Sequence, residues 1–449
     1  MKPRIDSTKP RVSPARSAAF DILLRVEQQD SYASELLHAP RSSQLSPSDH
    51  RLATEVVMGV LRWRSSLDSA IARLSAQPLN KLDSEVFAAL RLGAYQILFL
   101  DRVPDRAAIH ESVELTKQAR KRSAASFVNA ILRKLAASSP GATPQHDNSA
   151  QGMAQCYAHP EWLVARWTGH YGLEATQKIC IYDQQVPRTA IRLRDPSAEN
   201  ELRQQDVELS RGELLSSAWT VASGDITSTS AFRQGRIRIQ DQASQLVALL
   251  VGGGHILDCC AAPGGKTALI AERNPASEIT AVELHPHRAR LLRKLVSAPN
   301  VRIVTADARH LPLSSNFNSV LVDAPCSGTG TLARNPEIKW RLQAEDLRDL
   351  HSLQVQILHS AADRTLARGR VVYATCSLEP EENAEVIEQF LAESPSFQLL
   401  DCGRILERLK SEGELTWQPL ESLLSGPYLR TIPGVHPCDG FFAAILQRN

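Results

Sequence analysis

The chain should fold as three successive units: an all-helical N-terminal domain, a small α+β domain, and a C-terminal α/β domain built on a mostly parallel sheet. Three observations predict this. A length of 449 residues, at roughly 150 per domain, admits two or three domains. Residues 13–137 place apolar side chains at helical spacing and show no strand-like alternation. From residue 236 onward, short β-rich runs alternate with helical patterns, which is the rhythm of a parallel sheet covered on both faces.

Residues 1–12 read as a flexible basic tail. The helical domain at 13–137 opens on Ser13 and Pro14, a good N-cap and first-turn pair, followed by Phe20, Leu23, Leu24 and Val26. The pattern repeats through Leu52, Val56, Val57, Val60 and Leu61, through Val86, Leu90, Ala94, Ile97 and Leu98, and through Phe127, Ala130, Ile131 and Leu135. Residues 138–152 carry Ser, Pro, Gly, Asn and His with almost no large apolar side chain, so they read as a linker. Over 153–235, helical pieces (160–169, 174–183) alternate with strand-like ones (189–193, 219–222), a small α+β domain on the substrate side. In 236–449, strands are expected at 255–260, 278–283, 301–306, 319–323, 370–375 and 441–446, with a helix over 345–368 that stops at Gly369.

Composition excludes several classes. With 43% hydrophobic and 22% charged residues the chain is an ordinary globular one, and a net charge of +2 gives no whole-protein reason to bind a polyanion. No apolar run approaches the ~18 residues needed to span a bilayer, and the basic residues 1–16 lack the apolar core of a signal peptide, so a cytoplasmic protein without membrane contact is the expectation. Eight cysteines without a C-x-x-C pair describe neither a disulfide framework nor a metal site. Free thiols and a monomer are the default expectations.

Ligands of open parallel sheets bind beyond the carboxyl ends of the strands, so the residues that follow each strand are the candidates. After the first strand, Cys260 leads into Ala261, Ala262, Pro263, Gly264, Gly265 and Lys266, a small-residue turn opening a helix whose free N–H groups suit a polar or anionic ligand. A phosphate loop would need glycine at position 260, so a nucleoside triphosphatase is disfavoured. Glu283 ends the second strand and Asp307 follows the third. Singly, each could be a solvated loop carboxylate; together with the glycine turn they fit an adenosine-containing ligand, Glu283 on the ribose and Asp307 near the adenine amino group.

After the fourth strand stand Asp323, Pro325 and Cys326, and after the fifth stands Cys376. If those strands are neighbours, two thiols and a carboxylate face one crevice. Most free cysteines are small buried hydrophobes, the ordinary reading for Cys156, Cys180, Cys259, Cys402 and Cys438. Two thiols beyond strand ends, with Asp323 to hydrogen-bond an exocyclic amino group and ring nitrogen 3, suit carbon addition to an unreactive ring. Carbon 5 of cytosine attacks a methyl donor only after a thiolate adds to carbon 6, and a second thiol can assist its release.

The runs 257–267 (LDCCAAPGGKT), 323–328 (DAPCSG) and 374–377 (ATCS) resemble the donor-binding and two catalytic motifs of the NOL1/NOP2/Sun family of RNA cytosine-5 methyltransferases, in its bacterial ribosomal branch. The resemblance spans nearly the whole chain. It implies a Rossmann-like catalytic domain, S-adenosyl-L-methionine as donor, Cys376 as nucleophile and Cys326 in product release, the reverse of the DNA enzymes, which use the cysteine of the Pro-Cys motif. It also implies small-subunit (16S) ribosomal RNA as substrate, unassembled or partly assembled. The segments 239–244 (IQDQAS), 334–340 (RNPEIKW) and 439–442 (DGFF) resemble substrate-side and terminal-strand elements, and 102–104 with 127–134 resemble the RNA-binding antitermination factor NusB. One departure is Glu283, where the family often has Asp; the longer acid still reaches a ribose.

Residues 1–150 hold 21 Lys and Arg against 15 Asp and Glu, so the excess charge sits in the helical domain. Lys117, Arg120, Lys121, Arg122, Arg133 and Lys134 are the candidate phosphate contacts, against the plain alternative of solvated helix ends. Two other functions compete: the same chemistry on transfer RNA, and a non-catalytic RNA-binding assembly factor with a methyltransferase fold. An exocyclic amino-group methyltransferase is disfavoured by the Ala324-Pro325-Cys326 sequence.

Overall fold

The computed structural model describes residues 12–29, 31–39, 42–138, 149–314 and 316–449. The proposed tail at 1–11 and most of the linker, 139–148, lie outside them; Val12, counted with the tail, is buried in the helical core. Two compact units result, residues 1–185 with Leu332–Arg341, and Val186–Thr331 with Leu342–Asn449.

The first unit is helical among its described residues. Pro14–Gln28, Pro47–Arg62, Ser84–Phe99 and Ala125–Ala137 bury Phe20, Leu23, Val57, Leu90, Leu92 and Leu132 against one another. Ser13 stands at the first helix's N-cap, as expected, but its hydroxyl bonds Glu111 at 2.7 Å. The observed domain boundaries differ from the expected ones. The helices Ala150–Cys156 and Glu161–Gln184, expected in the linker and the α+β domain, belong to this unit, where Leu163, Trp167 and Ile179 are buried. The second span breaks at Gly172 (φ +79°, ψ 168°) into two helical pieces, as expected for 160–169 and 174–183.

The segment Leu332–Arg341, expected on the substrate side, also folds into the helical unit. A helix leaves its last carbonyls without intrahelical partners, and this segment meets those of Pro47–Arg62. Trp340 Nε1 donates to Leu61 O (2.6 Å) and Lys339 Nζ to Arg62 O (3.1 Å), while Arg62 itself donates to Ala333 O (3.0 Å).

The second unit contains two sheets. The smaller is antiparallel, in the order β2-β3-β1-β4, from β1 (Ala190–Leu193), β2 (Glu208–Arg211), β3 (Ala218–Ser223) and β4 (Ile237–Ile239). A boundary at 235/236 would therefore cut it, because β4 pairs with β1 through Ile191 and Ile239.

The larger sheet is nine-stranded: β5 (Ile256–Asp258), β6 (Ile279–Glu283), β7 (Val301–Thr305), β8 (Phe317–Asp323), β9 (Thr365–Thr375), β10 (Phe397–Leu400), β11 (Leu424–Ser425), β12 (Tyr428–Thr431) and β13 (Phe441–Arg448). Its order is β11-β12-β13-β9-β8-β5-β6-β7, with β10 on β13. Strands β5 to β9 run parallel and β13 antiparallel to β9. Their near-continuous apolar sequences follow from burial on both faces: Leu257, Val320 and Val371 pack on one side, Ile256, Leu321 and Val372 on the other.

The helix expected to reach 368 spans Asp346–Asp363. Thr365 already pairs with Phe317 in β9, so Leu366, expected on the helical stripe, lies in the strand.

Candidate active site

Strand β5 has β6 on one side and β8 on the other, so the order reverses there and the carboxyl ends of β5, β6, β8 and β9 border one crevice. The turn after β5 runs from Cys259 to Gly264 and opens the helix Gly265–Arg273. Gly264 caps it with φ +114°, and a side chain there would also strike Val296 and Leu292, so glycine is required on two counts. The first N–H groups of this helix have no intrahelical acceptor and face outward from its N-terminus.

Behind the turn, Asp258 is buried and accepts from Thr267 Oγ1 at 2.7 Å. Burial pushes its carboxyl up to about 7. Cys260 is likewise held protonated by burial. Glu283, at the end of β6, is buried and takes the backbone N–H of His285 at 2.9 Å. Asp307 follows β7, caps a short turn and pairs with Arg309 at 2.6 Å, which holds its carboxyl below the usual range.

Asp323 ends β8 and receives Lys266 Nζ at 2.7 Å, joining the glycine-turn helix to the thiol side of the crevice. Burial alone would lower the Lys266 ammonium; the facing Asp323 raises it above its usual value. Since β8 and β9 are parallel neighbours, the loops that follow them lie side by side. Their half-buried sulfurs, Cys326 Sγ and Cys376 Sγ, are 3.4 Å apart. The Cys326 thiol is pushed far up by its hydrogen bond to Cys376 and by burial.

The two loops are tied together. Gly330 N donates to Cys376 O at 2.9 Å, and Leu378 N to Thr329 Oγ1 at 2.9 Å. A Cβ on Gly330 would strike Gly440 O, so the run before β13 packs directly on this loop.

Sequence reasoning missed Glu382, Asn383 and Gln354. Glu382 is wholly buried beneath the two cysteine loops and accepts from the hydroxyls of both Ser327 and Ser377. Asn383 Oδ1 accepts from Thr375 Oγ1 at 2.5 Å, and its amide donates to Ser377 O at 2.9 Å. The available signal was the doubled Cys-Ser pair, 326–327 and 376–377, since two buried hydroxyls need a common acceptor.

The candidate RNA contacts lie on the helices Asp105–Gln118 and Ala125–Ala137 and on the turn between them. Arg120, Arg122, Arg133 and Lys134 are exposed, whereas Lys117 pairs with Glu114 (2.6 Å) and Lys121 with Asp83 (3.0 Å). A basic face that sequence reasoning did not single out is the helix Pro286–Leu295 with its flanks, where residues 284–299 include Arg288, Arg290, Arg293 and Lys294 and no acid.

Comparison with known proteins was informative over the full length. Residues 248–447 match the family described as 16S rRNA methyltransferase RsmB/F, and residues 13–137 match the NusB family. The probable ribosomal RNA small subunit methyltransferase B of Bacillus subtilis is 33% identical, covering 97% of this chain and 98% of that protein. Ribosomal RNA small subunit methyltransferase B of Vibrio vulnificus is 30% identical over 97% and 99% of the two chains. Among solved structures, PH0851 superposes with a TM-score of 0.81 at 24% identity, over 97% and 99% of the chains. NSun6 from Pyrococcus horikoshii, solved with SFG, gives 0.54 at 18% identity, over 64% and 98%. At those identities the two structures speak for the fold alone, and the family models give a NusB-like helical domain followed by a Rossmann-like methyltransferase domain.

Proposed function

The chain belongs to the RsmB/F family of 16S rRNA methyltransferases, and from that membership we propose that it methylates carbon 5 of a cytosine in small-subunit RNA, through a covalent bond between Cys376 and carbon 6. The observation that carries this reading is the pair of sulfurs 3.4 Å apart beside Asp323, at the ends of adjacent parallel strands.

The turn after β5 fits S-adenosyl-L-methionine. The left-handed Gly264 leaves no side chain over the helix N-terminus, whose N–H groups suit the donor's carboxylate, while Glu283 and Asp307 offer acceptors for ribose hydroxyls and an adenine amino group. When bound, this donor supplies a methyl group on a sulfonium centre.

The protein's own groups divide the remaining work. Cys376 Sγ adds to carbon 6, which makes carbon 5 nucleophilic towards the methyl group. Asp323, fixed by Lys266, accepts from the exocyclic amino group and holds the ring in place. The carbon-5 proton then passes to a deprotonated Cys326, its C–H electron pair restores the ring double bond, and the bond from Cys376 to carbon 6 breaks with Cys376 leaving as the thiolate.

Cys326 suits that second half. The largest influence keeping it protonated is its contact with Cys376. That influence disappears once the Cys376 sulfur is bonded to carbon, so Cys326 loses its proton more readily at the stage where a base is needed. The target base must be unstacked to be reached, so an opened strand or loop is the substrate, more accessible in free or partly assembled RNA than in a finished subunit.

The test compares Cys326→Ala and Cys376→Ala, each incubated with unmodified small-subunit RNA and labelled donor, with transfer RNA as a parallel arm. A protein–RNA adduct that survives denaturation is expected with Cys326→Ala and small-subunit RNA alone. An adduct only with Cys376→Ala exchanges the two roles, and methylation confined to transfer RNA overturns the substrate.

A further inference from the structure

We propose that Glu382 is a positioning residue for the two thiols: its buried carboxylate clamps the loop after β8 to the loop after β9 and thereby sets the distance between Cys326 and Cys376. The inference rests on the reading of those two sulfurs as the reacting pair.

Each cysteine is followed directly by a serine, and both serines turn inward. Ser327 and Ser377 are buried, their hydroxyls are 3.1 Å apart, and both donate to Glu382 Oε2. The other carboxylate oxygen, Oε1, accepts the backbone N–H of Ser327 at 2.8 Å and Gln354 Nε2 at 2.9 Å. The same Gln354 amide donates to Pro325 O at 3.0 Å, so the residue before Cys326 and the residue after it are both held. On the other side, Glu379 N donates to Ser377 Oγ at 3.0 Å, and Tyr373 Oη to Glu382 O at 2.6 Å. The carboxylate thus meets four donors, from both cysteine loops and from the helix Asp346–Asp363.

Burying a carboxylate is unfavourable unless its oxygens are met by hydrogen bonds. Glu382 satisfies that condition only while the two loops are in register, because hydrogen bonds to a charged acceptor are stronger than those between neutral groups. Its desolvation therefore works for the site. Sliding either loop by an ångström would separate the sulfurs and leave a buried charge short of donors. Nothing about the acid suggests proton transfer to substrate, since it lies beneath the loops and does not reach the crevice face.

The discriminating variant is Glu382→Gln, which keeps size and one acceptor but turns an NH2 group towards the two hydroxyls. Methyl transfer should fall roughly 10–100-fold in kcat, the scale of a misplaced reacting group, with KM for RNA and for donor within about two-fold of wild type. Sulfur spacing is read independently with phenylarsine oxide, which needs two thiols within bonding reach of one arsenic. Its affinity should drop about ten-fold or more in Glu382→Gln by the same loss of register.

Ser377→Ala, a smaller change, should lose several-fold in both readouts and remains informative if Glu382→Gln does not fold. Wild-type arsenical capture in either variant, or kcat unchanged in both, overturns the clamp. Arsenical capture requires no methylation, so failure of the covalent cytosine chemistry, seen as absence of any adduct, is told apart from failure of the clamp.

Discussion

Two buried ionisable groups, Glu382 in the catalytic unit and Lys339 in the helical unit, are treated differently. In the catalytic unit, burial raises the Glu382 carboxyl but four donors oppose that shift and fix the group in place, and Asp323 is met by Lys266. In the helical unit, Lys339 is 1% exposed, donates to Arg62 O at 3.1 Å and lies 5.1 Å from the Trp340 ring centre. Burial outweighs the help of Asp183 and lowers its ammonium to about 7. A charge supplied with donors can orient reacting atoms, whereas a charge stripped of water mainly makes stability depend on pH.

The contrast predicts separate phenotypes. The largest effect belongs to Asp323→Ala, which should reduce single-turnover methyl transfer about 10²–10³-fold, the usual loss for a preorganised group facing developing charge, while melting is little changed. A parallel collapse of thermal stability would mean that Asp323 serves the fold and not the reaction. Next is Gly330→Ala. Its Cβ would run into Gly440 O, backbone against backbone, so the unit should lose about 1–3 kcal/mol in urea unfolding, with activity falling as the thiol loop shifts.

A smaller effect is the pH dependence of the helical unit. With its folded value lowered from the usual lysine range to about 7, Lys339 binds fewer protons folded than unfolded between about pH 7 and 10.5. Stability should therefore rise with pH across that window, by at most about 1.4 kcal/mol per pH unit, and level off below it. Asp183, Cys180 and Arg62 face the ammonium and His159 is held neutral nearby, so Lys339→Met is the control that should remove the slope. Urea titration with hydrogen exchange read over Pro47–Arg62 measures it; an unchanged slope in the variant would assign the titration elsewhere.

The smallest effect concerns RNA. Arg133→Ala/Lys134→Ala should weaken binding a few-fold and reduce the salt slope by roughly one for each phosphate that is no longer neutralised. Lys117→Ala, whose ammonium already pairs with Glu114, should do neither. Equal weakening by both variants would show that the ion pair opens on RNA.

Much of this architecture is legible in the amino-acid order. The parallel strands announce themselves as short apolar runs because both faces of the sheet are covered, and the observed β5–β9 and β13 lie on the expected ones within a few residues. The crevice residues were legible for the same reason: a ligand site beyond strand ends places its residues at predictable positions along the chain. The end of the helix at Asp363 was not, because Leu366 satisfies a helical stripe as well as a strand, and only pairing of Thr365 with Phe317 decides between them. Nor was the assignment of residues 150–184 and 332–341 to the helical unit, which depends on whose carbonyls Trp340 and Lys339 satisfy.

Local sequence therefore determined the types of element and placed the two cysteines, the glycine turn and the acids beyond strand ends, because periodicity and residue chemistry act over a few positions. The separation of the sulfurs, the pairing of Lys266 with Asp323 and the role of Glu382 arise from the order of strands β5, β8 and β9. Residues 50 or more positions apart meet there, and no local pattern records which of them share a hydrogen bond.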